Sequence, residues 1–145
     1  MNKDVILHLQ SAIMQPGENQ ADTEAQNMQF QTPALYYEKD RVQLIFYTEE
    51  DSQSGTKTRC RLELHDKKLV IIRTGVTTSQ MELTIGKTTS TKYHTPFGLL
   101  EFDITTHTLQ IKQSKNELQV LACYTLSSDD APVSKHTLQL TLQNA

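Results

Sequence analysis

The sequence predicts an all-β protein: an antiparallel meander that closes into a barrel of about eight to ten strands. Strand formers, chiefly Thr, Leu, Ile, Val and Tyr, dominate in short runs, and no window sustains the 3.6-residue apolar period of a long helix. The runs alternate apolar with polar residues and are separated by Gly, Pro, Asp, Asn and Ser. Their number is the third observation, because a meander that long must close into a barrel or split into two sheets to hide its edges. Closure into one barrel over residues 1–145 is the expectation.

In chain order, Val5, Leu7, Leu9 and Ile13 share one face of a first strand, opposite His8, Gln10 and Ala12. Gln15 to Gln26 is polar, contains Pro16-Gly17, and is expected to be a loop. Met28, Phe30 and Thr32 start a second strand that continues from Ala34 to Glu38, with a bend or bulge at Pro33, which has no N–H to donate. In Arg41 to Glu50 the core face is expected to carry Val42, Leu44, Phe46 and, at its end, Glu50, with Ile45 and Tyr47 opposite. Thr56 to His65 alternates most cleanly: Cys60, Leu62 and Leu64 on a dry face, Lys57, Arg59, Arg61 and Glu63 on a wet one.

Leu69 to Thr74 is apolar on both faces until Arg73. Met81, Leu83 and Ile85 face the core in the next strand, which Gly86 ends, and a threonine-rich run from Thr89 to Thr95 follows. Pro96 and Gly98 suit the second and fourth positions of a type I turn into Leu99 to Thr106, where Leu100, Phe102 and Ile104 point inward. Leu109 and Ile111 form a short strand, Leu118 to Leu126 a longer one, and Thr137 to Leu142 the last.

The net charge of −3, with both signs mixed along the chain, supplies no basic field for nucleic acid. The N-terminal VILHL run is too short and polar for a signal segment, and no run approaches a membrane span. Cys60 and Cys123, in no metal-type spacing, read as reduced thiols of a cytoplasmic protein. Gly86-Lys87-Thr88 lacks the upstream glycine of a phosphate loop, where Met81 stands instead. Glu49 and Glu50, adjacent on a strand, point to opposite faces and cannot flank one bond. The five histidines, His8, His65, His94, His107 and His136, are scattered and read as isolated surface residues. No cofactor, metal site or catalytic set emerges, so the sequence argues against an enzyme.

The order and spacing of SGTKTRCRLEL, IIRTG, MELTIG and YHTPFGLLEFDI resemble the YwiB-like family of small bacterial calycin-like β-barrel proteins, a family of unknown function. The matching positions are Gly55, Thr56, Thr58, Arg73, Gly75, Met81, Gly86, Tyr93, Thr95, Pro96 and Gly98, preceded by Tyr36-Tyr37 and Glu49-Glu50. The resemblance implies a lipocalin-like barrel and an intracellular location, and supplies no activity. The apolar Leu99-Leu100 after Gly98 departs from the pattern.

Arg73 is the residue that bears on function. It shares a face with Leu69 and Ile71, so a guanidinium enters an apolar interior and needs a carboxylate, carbonyls or an anionic ligand. An internal salt bridge, to Glu50, is one expectation. The other is a small, partly apolar ligand with an anionic or polar end, held by Glu50, Arg73, Tyr93 and Thr95. A filled barrel working as a homodimeric scaffold is the alternative, because Val70 and Ile72, like Leu121 and Cys123, leave apolar residues on the outer faces of their strands.

Overall fold

Strand alternation of this kind builds a closed barrel in the computed structural model, which describes residues 1–15, 27–51 and 53–145. Its ten strands are β1 (Asp4–Met14), β2 (Asn27–Lys39), β3 (Val42–Glu50), β4 (Lys57–His65), β5 (Lys68–Thr74), β6 (Thr78–Thr84), β7 (Thr88–Thr95), β8 (Gly98–Gln113), β9 (Glu117–Ser128) and β10 (Ala131–Asn144). Every neighbour is antiparallel and consecutive in sequence, and β10 closes on β1 from Val5↔Asn144 to Met14↔Lys135. No helix among the described residues is long and apolar enough to cross a membrane. The loop expected from Gln15 to Gln26 lies, beyond Gln15, outside the described residues, as does Ser52 of the loop after Glu50.

The core faces of β1, β4, β5, β9 and β10 follow the sequence pattern: Leu7, Leu62, Leu69, Leu118 and Leu142 are all almost fully buried. On β3 the pattern misleads. Ile45 and Tyr47 face the interior, while Leu44 and Phe46 are outside, opposite Tyr37 and Leu35 of β2. The outer residues shield one another, with Phe46 and Tyr37 rings edge-on at 5.9 Å, so β3 is apolar on both faces and counting apolar residues picks the wrong one.

Three further differences concern strand ends. β6 stops at Thr84 and leaves Ile85 exposed. The expected short strand at Leu109–Ile111 is the end of β8, reached through a bulge between Thr106 and Thr108 that switches the inward parity from Ile104 and Thr106 to Leu109. Leu100, near the start of β8, remains half exposed.

Pro33 acts as its missing donor dictates, without breaking β2. The Tyr36 N–H donates to Lys3 O, so even-numbered residues of β2 bond towards β1 and the Pro33 nitrogen faces β3. The β2–β3 ladder accordingly ends at Leu35↔Phe46, the last pair before Pro33. A second incomplete seam lies between β6 and β7, where only Thr78↔His94 and Ser79↔Tyr93 pair. Beyond them the Thr89 and Thr91 hydroxyls donate to Glu82 O (2.7 Å) and Gln80 O (3.4 Å), side chains standing in for the ladder.

Candidate functional site

Leucine, isoleucine and valine side chains fill the barrel at the end that holds the chain termini, with Leu7, Leu64, Leu69, Leu83, Leu118 and Leu142 meeting there. At the other end, beneath the β3–β4, β5–β6, β7–β8 and β9–β10 turns, the inward positions turn polar. One cross-strand row runs Tyr47↔Cys60↔Arg73↔Ser79↔Tyr93 through β3 to β7, each residue inward. Glu49, two places beyond Tyr47, points the same way. From the far wall Tyr124 and His136 complete the ring, stacked with centroids 4.8 Å apart and planes at 4°.

Arg73 therefore does enter the interior, as the sequence implies, but its carboxylate partner is Glu49. Glu49 Oε1 lies 3.6 Å from the Arg73 guanidinium, and it also accepts from Tyr47 Oη at 3.3 Å. Glu50 is exposed on the outer face opposite Lys57, so the salt bridge expected with Glu50 is corrected to Glu49; the cause is the inverted face of β3. Tyr93 is half-buried in the ring, its hydroxyl against Met81 Sδ at 3.5 Å and its ring 5.3 Å from that of Phe102. Thr95 is occupied by the turn that follows: its hydroxyl donates to Gly98 O at 2.7 Å and accepts from Phe97 N–H at 3.2 Å.

The ring is electrostatically coupled. Burial lowers the Arg73 pKa, but Glu49, then Tyr47 and Cys60, more than offset this and hold it above the ordinary value. Burial first, and Arg73 second, push His136 down to about 4. Burial, with Glu49 adding to it, raises the Cys60 thiol to about 11, and burial raises the Tyr124 phenol to about 12. At neutral pH the site thus presents one guanidinium, one carboxylate and otherwise neutral thiol, phenol and imidazole groups.

Ser134 Oγ and His136 Nε2 are 2.7 Å apart, the contact of a nucleophile and its base. Among the described residues no acidic side chain hydrogen-bonds the imidazole, and burial holds Cys60 as a thiol. No three His, Cys, Asp or Glu residues among those described are grouped to hold a metal. Cys60 faces inward and the free Cys123 packs on the outside against Thr137. His136, read from sequence as a surface residue, is in the interior; its parity with Leu138, Leu140 and Leu142 was the signal for this, and Glu49 shares that kind of signal with Ile45 and Tyr47.

Comparison with known proteins returns the same architecture. The chain is 23% identical over 140 residues to the uncharacterized beta-barrel protein YwiB of Bacillus subtilis (strain 168), covering 96% of this chain and 92% of that protein. The crystal structure of the B. subtilis ywiB protein superposes with a TM-score of 0.81 at 22% identity, over 99% of this chain and 92% of that one. A model of a domain of unknown function, DUF1934, matches residues 13–140, and the chain belongs to that family.

Proposed function

We propose that this β-barrel protein is a non-catalytic binding module whose mouth takes a small, partly apolar ligand through an anionic head at Arg73. One observation carries the reading: Arg73 projects into the barrel, yet its one ionic partner among the described residues stands at 3.6 Å, so donors of its guanidinium fork remain available to a bidentate acceptor. The rings of Phe102 and Tyr93 offer apolar surface beside it, and the Tyr124 hydroxyl lies across the ring. Because aliphatic side chains fill the opposite half, the ligand is short: an anionic metabolite with a compact apolar part, rather than a long-chain fatty acid.

The test is thermal and urea unfolding with a panel of small carboxylates and phosphates, alongside native mass spectrometry of protein purified from its own host. Stabilisation by one anion class, absent in Arg73→Met, supports the reading. No retained species and no shift with any compound would sink it.

Self-association is a second reading, favoured by a different surface from the one the sequence pointed to. Val70 is 6% exposed in a single chain, between Glu63 and Glu82 of the neighbouring strands, so it requires no second copy to cover it, whereas Ile72, Leu121 and Cys123 are half-buried. The β7–β8 turn instead displays Phe97 fully exposed, next to Leu99 and Leu100 at about half exposure. Light scattering of the wild type and Phe97→Ser at high concentration tests it; two monomers of equal mass would rule it out.

A further inference from the structure

The seam that Pro33 leaves open is a second site, which shares Glu49 with the Arg73 ring. Beyond Leu35↔Phe46, β2 stays paired with β1 as far as Ala12↔Asn27, and β3 stays paired with β4 as far as Glu50↔Lys57. The two strands therefore keep their strand conformation while ceasing to pair with each other. By alternation the ladder groups of Gln29 and Gln31 on β2, and of Thr48 and Glu50 on β3, point into the gap and lie beyond the last register pair. The space between them is an open cleft of about 1080 Å³, lined by Phe30, Gln31, Thr48, Glu49, Glu50 and Asp51 among others, with no lysine or arginine among the described residues of its wall.

We infer that this cleft docks an extended segment of another polypeptide, which adds to the exposed β2 or β3 edge as a strand and carries lysine or arginine side chains towards Glu49, Glu50 and Asp51. Two edges that have no ladder partner among the described residues and face one slot are the template for strand addition, in which main-chain hydrogen bonds give affinity and alternate side chains give specificity. The charge selects the occupant. A second copy of this chain, pairing edge to edge, would bring Glu50 and Asp51 of both molecules together beside the Arg73-paired Glu49, whereas a basic strand neutralises them. Phe30, which lines the cleft and is backed by the buried Tyr47 ring at 6.2 Å, provides an apolar contact for the peptide's inward side chains.

The experiment uses the full chain and a fluorescein-labelled library of short peptides with lysine at alternate positions, and with valine, threonine or tyrosine between. Anisotropy should find binders at least tenfold tighter than the same peptides with glutamate in place of lysine. Binding should perturb the amide resonances of Gln31 and Glu50 more than those of Arg73 or Tyr93. Gln31→Pro removes a donor from the free edge without touching the β1 ladder, as Pro33 already does, and should weaken binding tenfold or more. Methylating the peptide's backbone nitrogens should do the same to the wild type, which keeps the test valid if Gln31→Pro does not fold. The inference is overturned if no peptide binds, if the glutamate or N-methylated peptides bind equally well, or if light scattering shows the seam occupied by a second copy.

Discussion

Replacing Arg73 by Met tests how the interior charge is held. At 3.6 Å from Glu49, and at an effective dielectric of about 20, the Coulomb attraction is about 4–5 kcal/mol gross. Desolvation offsets most of that, and both side chains keep some solvent contact, 31% for Arg73 and 26% for Glu49. Glu49 can therefore rehydrate when its partner is lost, which puts the expected cost of Arg73→Met at about 1–2 kcal/mol rather than the 3–5 kcal/mol of a sealed pair. Urea unfolding, with the Glu49→Gln single variant and the double variant closing a thermodynamic cycle, measures it. The His136 pKa, followed by its ring-proton NMR shift, should rise in Arg73→Met because a neighbouring cation is gone. A loss above about 3 kcal/mol, with His136 unmoved, would refute the reasoning: Arg73 would then be a structural ion remote from the far wall.

His136, depressed to about 4, is neutral in the native protein and takes up its proton on unfolding, so stability should fall as pH drops from about 6.5 towards 4. That slope should be shallower by about 1–2 kcal/mol over the window in His136→Gln, measured by urea unfolding at each pH. Gly75→Ala should cost about 1–3 kcal/mol, because the new Cβ would stand 2.8 Å from Thr58 Oγ1 and 3.3 Å from the Lys57 and Thr58 backbone. Asp130→Gly should raise the melting temperature, being worth up to about 1 kcal/mol, since Asp129 and Asp130 (φ 52° and 64°) form a two-residue β9–β10 turn that favours glycine at its second place. Thr89→Val removes the 2.7 Å bond to Glu82 O at the β6–β7 seam and should speed amide exchange across it, at a cost of about 1 kcal/mol.

Much of this was legible in the sequence because β-strand side chains alternate, and alternation is local. Leu118 to Leu126 and Cys60 to Leu64 needed nothing beyond their own parity to be placed. Arg73 was legible for the same reason. Its partner was not, because β3 is apolar on both faces and the deciding contact, Phe46 against Tyr37, belongs to another strand. Spacing between histidines says nothing of His136; its parity with Leu138, Leu140 and Leu142 is what places it inside. The bulge at Thr106/Thr108 does leave a mark, since the apolar residues pass from the even positions Phe102 and Ile104 to the odd positions Leu109 and Ile111, but a parity switch reads equally well as a break between two strands.

The choice between a filled and a hollow barrel takes a different form once the lining is known. Ten strands enclose a wider interior than eight, and aliphatic side chains meet across it at one end only. At the other end the same width is spanned by Tyr47, Tyr93 and Tyr124, whose rings do the filling that leucine does below. A tyrosine that fills space also carries a hydroxyl to the tip of the space it fills. Packing the mouth with such rings leaves their polar ends converging on Arg73, so the residues that close the barrel are also those that give its mouth hydrogen-bonding capacity. Shortening one of them should act on both at once: Tyr124→Phe keeps the ring against His136 and tests the hydroxyl alone, whereas Tyr124→Ala also opens a cavity and should cost about 3–5 kcal/mol. Anion-dependent stabilisation that weakens in Tyr124→Phe while the unfolding midpoint without anion stays within about 1 kcal/mol of wild type would separate the two roles. An equal loss of both would mean that the hydroxyl serves packing only.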